Sequence, residues 1–224
     1  MVEFKQKTFF GRKRGKGMTG AKESLLVERM DEFAIGLPFD LDEMFGFKPL
    51  KISLEIGYGD GEHLAELAKK NPKEAFIGVE VFENGNAAML KKVIEGGLGN
   101  VRIFPHDVHL LLPHIPDESV DRLLILYPDP WPKSRHEGRR LIGPKNLPEF
   151  LRILKSGGEM LVVSDHPVYI TWVLMVIRGQ DAFEWTALKS GNFSRPPKDW
   201  ETTRYEQKAV YEGRVPIYLS FVKK

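Results

Sequence analysis

The sequence predicts an α/β domain: a mostly parallel sheet, helices on both of its faces and an antiparallel last strand. Three observations lead there. From Leu50 onward, five short apolar runs alternate with segments of helix length, the pattern of βαβ units. Breakers punctuate that alternation at Asn71-Pro72, Gly96-Gly97 and Gly157-Gly158. The last apolar run, 216–222, follows a polar, proline-broken stretch (189–213) instead of a helix, which favours an antiparallel return at the end of the sheet.

The elements follow in order. Residues 1–22 hold seven Lys and Arg against one Glu, so they carry a net +6 in a chain of net +2. They read as a basic, disordered arm, either a solubilising end or a segment that touches polyanions. Residues 23–224 read as a single domain. Leu25, Leu26, Met30 and Phe33 recur at helical spacing, and Gly36, Pro38 and Pro49 make 36–49 a connector. Strands are expected over 50–57, 74–81, 100–107, within 119–129, and over 159–165. Helices are expected from Asp60 or Gly61 to Lys70, from Glu83 to Glu95, from Pro144 to Lys155 and over 167–178. Two further runs, 183–188 and 216–222, close the chain.

Composition excludes several classes. With 42% hydrophobic residues in 224, the chain has enough apolar surface for one core, and collagen-like, coiled-coil and disordered classes fall away. It has no cysteine, so disulfides, thiolate metal sites and cysteine nucleophiles are out. The N-terminus has no apolar run of the signal-peptide kind, and the longest apolar run, Trp172 to Ile177, is far short of the ~20 residues a bilayer requires. The expectation is a soluble, cytoplasmic protein with no membrane association and no obligate protein partner.

Four constellations carry chemistry. The first is Glu55-Ile56-Gly57-Tyr58-Gly59-Asp60-Gly61, placed between a strand and a helix. Gly57 and Gly59 let the backbone turn sharply and approach a ligand. Position 62 is Glu, where a dinucleotide fingerprint would have its third glycine, and Glu55, Asp60 and Glu62 repel a pyrophosphate. A neutral or cationic ligand suits the loop, and S-adenosyl-L-methionine, with a sulfonium and an ammonium but no phosphate, meets that demand. The second is Glu80, 23 residues after Gly57 at a strand end, where an acid accepts from ribose hydroxyls. The third is Asp107, either an acceptor near the adenine edge or a helix N-cap. The fourth is Tyr127-Pro128-Asp129-Pro130-Trp131-Pro132-Lys133, a loop whose prolines stiffen it around Asp129. Residues 133–145 then carry five Lys and Arg, among them Arg135, Arg139 and Arg140, against one Glu. They read as an RNA-backbone surface or as a solvated charged loop. His106, His109 and His114 match no metal-ligand spacing, and no metal is expected.

From about residue 50 to the C-terminus the chain resembles the bacterial tRNA (guanine-N7-)-methyltransferases. Pro128 to Lys133, followed by Arg135-His136 and Arg139-Arg140, carries most of the likeness. Glu55-Ile56-Gly57, Gly78-Val79-Glu80, Asn100-Val101-Arg102, Ser164-Asp165 and Thr203-Arg204-Tyr205-Glu206 match in order. The departures are Tyr58 where a small residue is common, Tyr127 for Phe, Gly138 for Lys and Ser164 for Thr. The resemblance implies the class I methyltransferase (Rossmann-like) fold and methyl transfer from S-adenosyl-L-methionine to N7 of a guanosine in tRNA, in the variable loop. It further implies that Glu55, Glu80, Asp107 and Asp129 contact the cofactor or lie beside its methyl group. Asp129 becomes the catalytic candidate, and Lys133, Asp165, Thr203, Arg204, Tyr205 and Glu206 become substrate-side positions. Two other readings remain at this point: a non-catalytic RNA-binding protein with a degenerate nucleotide pocket, and a small-molecule methyltransferase.

Overall fold

The computed structural model describes residues 11–187, 191–198 and 200–224. Seven strands form one sheet in the order β3-β2-β1-β4-β5-β7-β6. They are β1 (Ile52–Ile56), β2 (Ala75–Val79), β3 (Val101–Phe104), β4 (Val120–Leu126), β5 (Leu154–Ser164), β6 (Phe183–Trp185) and β7 (Ile217–Lys223). The first five pair in parallel, and β7 runs antiparallel to both of its neighbours. The antiparallel last strand is therefore present, but it inserts between β5 and β6 instead of lying at the end of the sheet. The edge falls to β6, which is short and mostly exposed.

Alternation along the strands builds two cores. Leu123 and Ile125 of β4 face one layer, and Leu124 and Leu126 face the other. The helices α1 (Gly20–Arg29), α2 (Glu62–Lys70) and α3 (Glu83–Gly96) lie on the side of Leu124. The helices α4 (Val108–Leu111), α5 (Leu147–Ile153) and α6 (Pro167–Arg178) cover the side of Leu123. The eight-residue helix α7 (Arg204–Tyr211) precedes β7, inside the stretch where no helix is expected.

Two expectations shift. The helix expected to reach Lys155 stops at Ile153, and β5 starts at once. Gly157-Gly158 is not a helix stop. It lies inside β5, where the register with β4 shifts between Val120 and Arg122, and Gly157 takes φ +77°. Lys155 Nζ anchors this irregular end by reaching both oxygens of Asp121, at 2.9 and 2.8 Å.

Nor do residues 11–22 stand apart as a disordered arm. Lys13 O accepts from Glu83 N at 2.8 Å, and Gly15 N donates to Asn84 Oδ1 at 2.9 Å. A Cβ on Gly15 would lie 2.7 Å from the Phe82 ring. The boundary expected at residue 22 falls inside α1, whose N-cap is Thr19. These contacts carry the segment across the start of α3. The rest of the expected arm, 1–10, lies outside the described residues.

Asn100 shows how tightly the β2–β3 end is tied. Its buried Nδ2 donates to Ala68 O, Asn71 O and Glu74 O at 3.0, 3.2 and 3.0 Å, joining α2, the following turn and the entry to β3. Asn100→Ala removes all three bonds, and only Asn71 O keeps a backbone donor, Glu74 N, among the described residues. It is expected to destabilise the fold by about 2 kcal/mol or more. Urea unfolding reads this directly, and an unchanged midpoint would show the three bonds to be dispensable.

Candidate active site

A cavity of about 570 Å³ opens at the carboxyl edge of the parallel strands, within the ordinary size range of a small-molecule site. Its floor is the loop after β1. Gly57 and Gly59 line it with φ +78° and +59°, a left-handed backbone that only glycine adopts freely. A Cβ on Gly59 would sit 3.0 Å from the Tyr205 ring, and one on Gly85 would run into the Gly59 carbonyl. The loop is thus pressed between α7 and α3, with no room for side chains at the contacts. Tyr58, the departure from small residues, turns away from the cavity. It is buried, and its hydroxyl bonds Asn86 in the space that Gly78 leaves open.

Glu80, at the end of β2, lines the cavity and holds the floor in place. One carboxylate oxygen accepts from Gly59 N at 3.0 Å, and the other accepts from Val81 N and Phe82 N at 2.8 and 2.9 Å. Burial raises its pKa, with the three N–H bonds opposing and nearby Asp129 adding to the rise. Asp107 also lines the cavity and is the N-cap of α4. It accepts from His109 N at 3.0 Å and from the His109 ring at 2.6 Å, and the ring's other nitrogen meets Asn146 Oδ1 at 3.1 Å. That carboxylate raises the pKa of His109. The N-cap reading of Asp107 is the one the structure shows, and the capping residue also lines the cavity.

Asp129 lines the opposite wall, and desolvation raises its carboxyl above the usual range. Tyr127 and Trp131 bracket it with φ +50° and +39°. Such left-handed conformations cost about 1–2 kcal/mol for residues with a Cβ, so something outside must hold the loop. The Tyr127 ring stacks on Tyr205 at 6.4 Å and 22°, while its hydroxyl is buried with no partner among the described residues. Tyr205 is the one member of the Thr203–Glu206 run that lines the cavity.

The other expected positions lie elsewhere. Glu55 is buried behind the loop and bonds His63 Nδ1 at 3.0 Å, and the His63 ring packs on Trp200. Thr203 is the N-cap of α7 and accepts from Glu206 N at 3.0 Å. Glu206 is buried with both oxygens engaged, by Trp200 Nε1 and the Tyr218 hydroxyl at 2.6 Å each. It holds α7 to β7 and does not face the cavity. Arg204 pairs with Asp60, and Asp165 pairs with Arg214 outside the cavity lining. Lys133 and Arg135 are exposed outside the cavity lining, and exposed Arg139, which lines it, lies 4.9 Å over the Trp131 ring. Arg140 overturns its expected role. It is 4% exposed and bonds backbone carbonyls, so it is not an RNA-backbone contact. Two adjacent arginines read alike in sequence, and only the chain's path separates the one facing solvent from the one facing inward. Trp172 and Asn146, which also line the cavity, carried no motif.

Residues 50–219 match the family model described as "Putative methyltransferase". The tRNA (guanine-N(7)-)-methyltransferase of Paramagnetospirillum magneticum is 42% identical over 223 residues, covering 96% of this chain and 92% of that protein. The one from Mesorhizobium japonicum is 41% identical over 220 residues, covering 96% and 94%. The chain belongs to the tRNA (guanine-N(7)-)-methyltransferase family. Among solved structures it shares its fold with an antibiotic-related methyltransferase (TM-score 0.56, 18% identical, 84% of this chain and 97% of that one). An rRNA methylase from Streptococcus thermophilus aligns at TM-score 0.53 and 14% identity over 77% of this chain and 86% of that one. The fold is that of a class I methyltransferase. Among the described residues of this family member no helix is long and apolar enough to cross a membrane, and no cluster of ligating side chains could hold a metal.

The geometry gives Glu206 a structural test. Glu206→Gln removes the charge that both buried donors share and is expected to cost about 1.5–3 kcal/mol. The thermal midpoint should fall with it. An unchanged midpoint with a weakened substrate response would instead return Glu206 to the substrate site.

Proposed function

We propose that this chain transfers the methyl group of S-adenosyl-L-methionine to N7 of a guanosine in tRNA. The observation that carries the reading is the convergence of Glu80, Asp107 and Asp129 on one cavity floored by a close-packed glycine loop. The donor set fits that cofactor. In this reading Glu80 accepts from ribose hydroxyls and Asp107 from the exocyclic amine of adenine, and these acids with Asp129 suit a ligand that is cationic beside them. Glu55, buried outside the cavity lining, ties the end of β1 to α2 through His63. When bound, the cofactor supplies an electrophilic methyl group on a sulfonium.

The chain's own work is alignment and charge. Guanine N7 has an in-plane lone pair and no proton, so no general base is required to free it. What is required is a near-attack placement of about 3–3.5 Å and an environment that accepts positive charge on the purine. Asp129 meets the second need as a fixed carboxylate on the wall, and the stacked rings of Tyr127 and Tyr205 offer a flat surface beside it. The exposed Lys133, Arg135 and Arg139 suit phosphate. The three cavity acids speak against a non-catalytic binder, and the exposed cations speak against a small-molecule substrate.

Mass spectrometry of tRNA incubated with the protein and labelled S-adenosyl-L-methionine tests the reading, with 7-methylguanosine as the expected product. Label in no nucleotide would overturn it. Asp129→Ala is expected to keep cofactor affinity and lower the single-turnover rate by about 10²-fold or more. A rate within a factor of about three would remove Asp129 from the transition state.

Cofactor affinity should also depend on pH. A raised pKa means that Glu80 takes up its proton at higher pH than a free carboxyl, whose pKa is about 4.3. Affinity is therefore intact well above that raised value and falls as pH drops through it. Glu80→Gln should weaken binding at neutral pH by about tenfold and flatten this dependence. Calorimetry across the acid range checks both, and an undiminished slope in the variant would assign the titration to another group.

A further inference from the structure

We infer that Arg140 is a positioning residue: its buried guanidinium latches the backbone of the Pro128–Pro132 loop and thereby fixes Asp129. The inference rests on the function proposed above and adds a residue to it. Three of the five residues from 128 to 132 are prolines, so only Asp129 and Trp131 carry a backbone N–H. The loop cannot tie itself down with its own donors, and its carbonyls must be met from outside.

Arg140 meets them. Its Nε lies 3.2 Å from Pro130 O and 3.3 Å from Trp131 O, and its Nη2 donates to Trp131 O at 3.0 Å. The guanidinium lies 4.6 Å from the centre of the Trp172 ring on α6, and Nη1 is 3.7 Å from Glu137. Trp172 is itself fixed, because its Nε1 donates to Ile142 O at 2.6 Å. The cation is thus held between a helix of the core and the two carbonyls that follow Asp129. At 4% exposure its fork is spent inside the protein, so a phosphate could reach it only by breaking the loop's anchor.

The latch acts on Asp129 through the chain. Pro130 restricts the backbone of the residue before it, so Asp129 moves with Pro130 and Trp131 as one unit. At its other end the loop is tied where Tyr127 N donates to Val163 O at 2.8 Å on β5. With both ends held, the carboxylate is aimed. With the second end released, Trp131 loses the carbonyl anchor that helps to hold it at φ +39°.

The test compares Arg140→Met and Arg140→Lys with the wild-type full chain. Arg140→Met is expected to lower the single-turnover rate at saturating tRNA and cofactor by about tenfold or more, since misplacing a reacting group by an ångström costs on that order. Its affinities for tRNA and for S-adenosyl-L-methionine should stay near wild type, and so should the salt slope of tRNA binding. Arg140→Lys keeps the charge and reaches one carbonyl, so it should recover part of the rate. Amide exchange in a peptide covering 127–133 should quicken in the Met variant, and this readout stands even if the wild type proves inactive on tRNA. Two results would overturn the inference. One is a salt slope shallower by about 0.7–0.9 with the saturated rate unchanged, which would make Arg140 a phosphate contact. The other is an unchanged rate with unchanged loop exchange. If the Met variant does not fold, the Lys variant alone decides by the same measurements.

Discussion

The carboxylate of Glu80 joins the segments on which the cavity depends. It stands at the end of β2, yet its two oxygens accept from the loop after β1 and from the first residues leading into α3. Those N–H groups have no strand or helix partner of their own at that point, and an acid satisfies all three at once. The arrangement keeps a charge half-buried, which raises the carboxyl's pKa and makes it responsive to a cation placed nearby. Once Gly59 is fixed from below, Gly85 lets α3 close over its carbonyl and Tyr205 settles on its other side. The helices α3 and α7 therefore both pack on a loop that Glu80 helps to hold.

The opposite wall solves the converse problem. The β1 loop offers the Gly59 N–H and the exit from β2 offers those of Val81 and Phe82, and an acid collects all three. The β4 loop is rich in proline, so it lacks N–H groups and presents carbonyls, and an arginine collects those. Each charged side chain matches the backbone polarity its loop leaves open. That pairing is why Glu80 and Arg140, though opposite in sign, belong to the same structural logic.

Much of the fold was legible because apolar runs and breakers mark strands and helix ends directly. Strand order was not. Hydropathy shows that 216–222 is a strand but not that it slides between β5 and β6, because both neighbours present the same open backbone edge. Gly157-Gly158 is ambiguous for a related reason: glycine ends helices and also makes bulges, and only the pairing of β5 with β4 tells which. In the site, Gly57, Gly59, Glu80, Asp107 and Asp129 were readable because strand ends fall on one edge of a parallel sheet. The Thr203–Glu206 run was readable only in part. Its threonine and glutamate have the spacing of a helix start, and the structure uses Thr203 as the cap and Glu206 as an anchor to β7. Tyr205, between them, points the other way and reaches the cavity.

The basic residues show most clearly why counting charges falls short. Residues 133–145 hold five cations, and a sequence treats them as equal. The structure divides them: Lys133, Arg135, Arg139 and Lys145 are exposed, while Arg140 is taken inside by two carbonyls and an indole. The acids show the opposite distribution, with Glu80, Asp107 and Asp129 turned to the interior of the cavity. Exposed cations and cavity acids thus lie close together, and Arg139 and Lys145 share the lining with Glu80, Asp107 and Asp129. Such a mixture suits an anionic backbone at the exposed cations and a centre of positive charge beside the acids. A polyanion whose base becomes cationic on reaction is the kind of substrate for which both sets of charges act in the same direction.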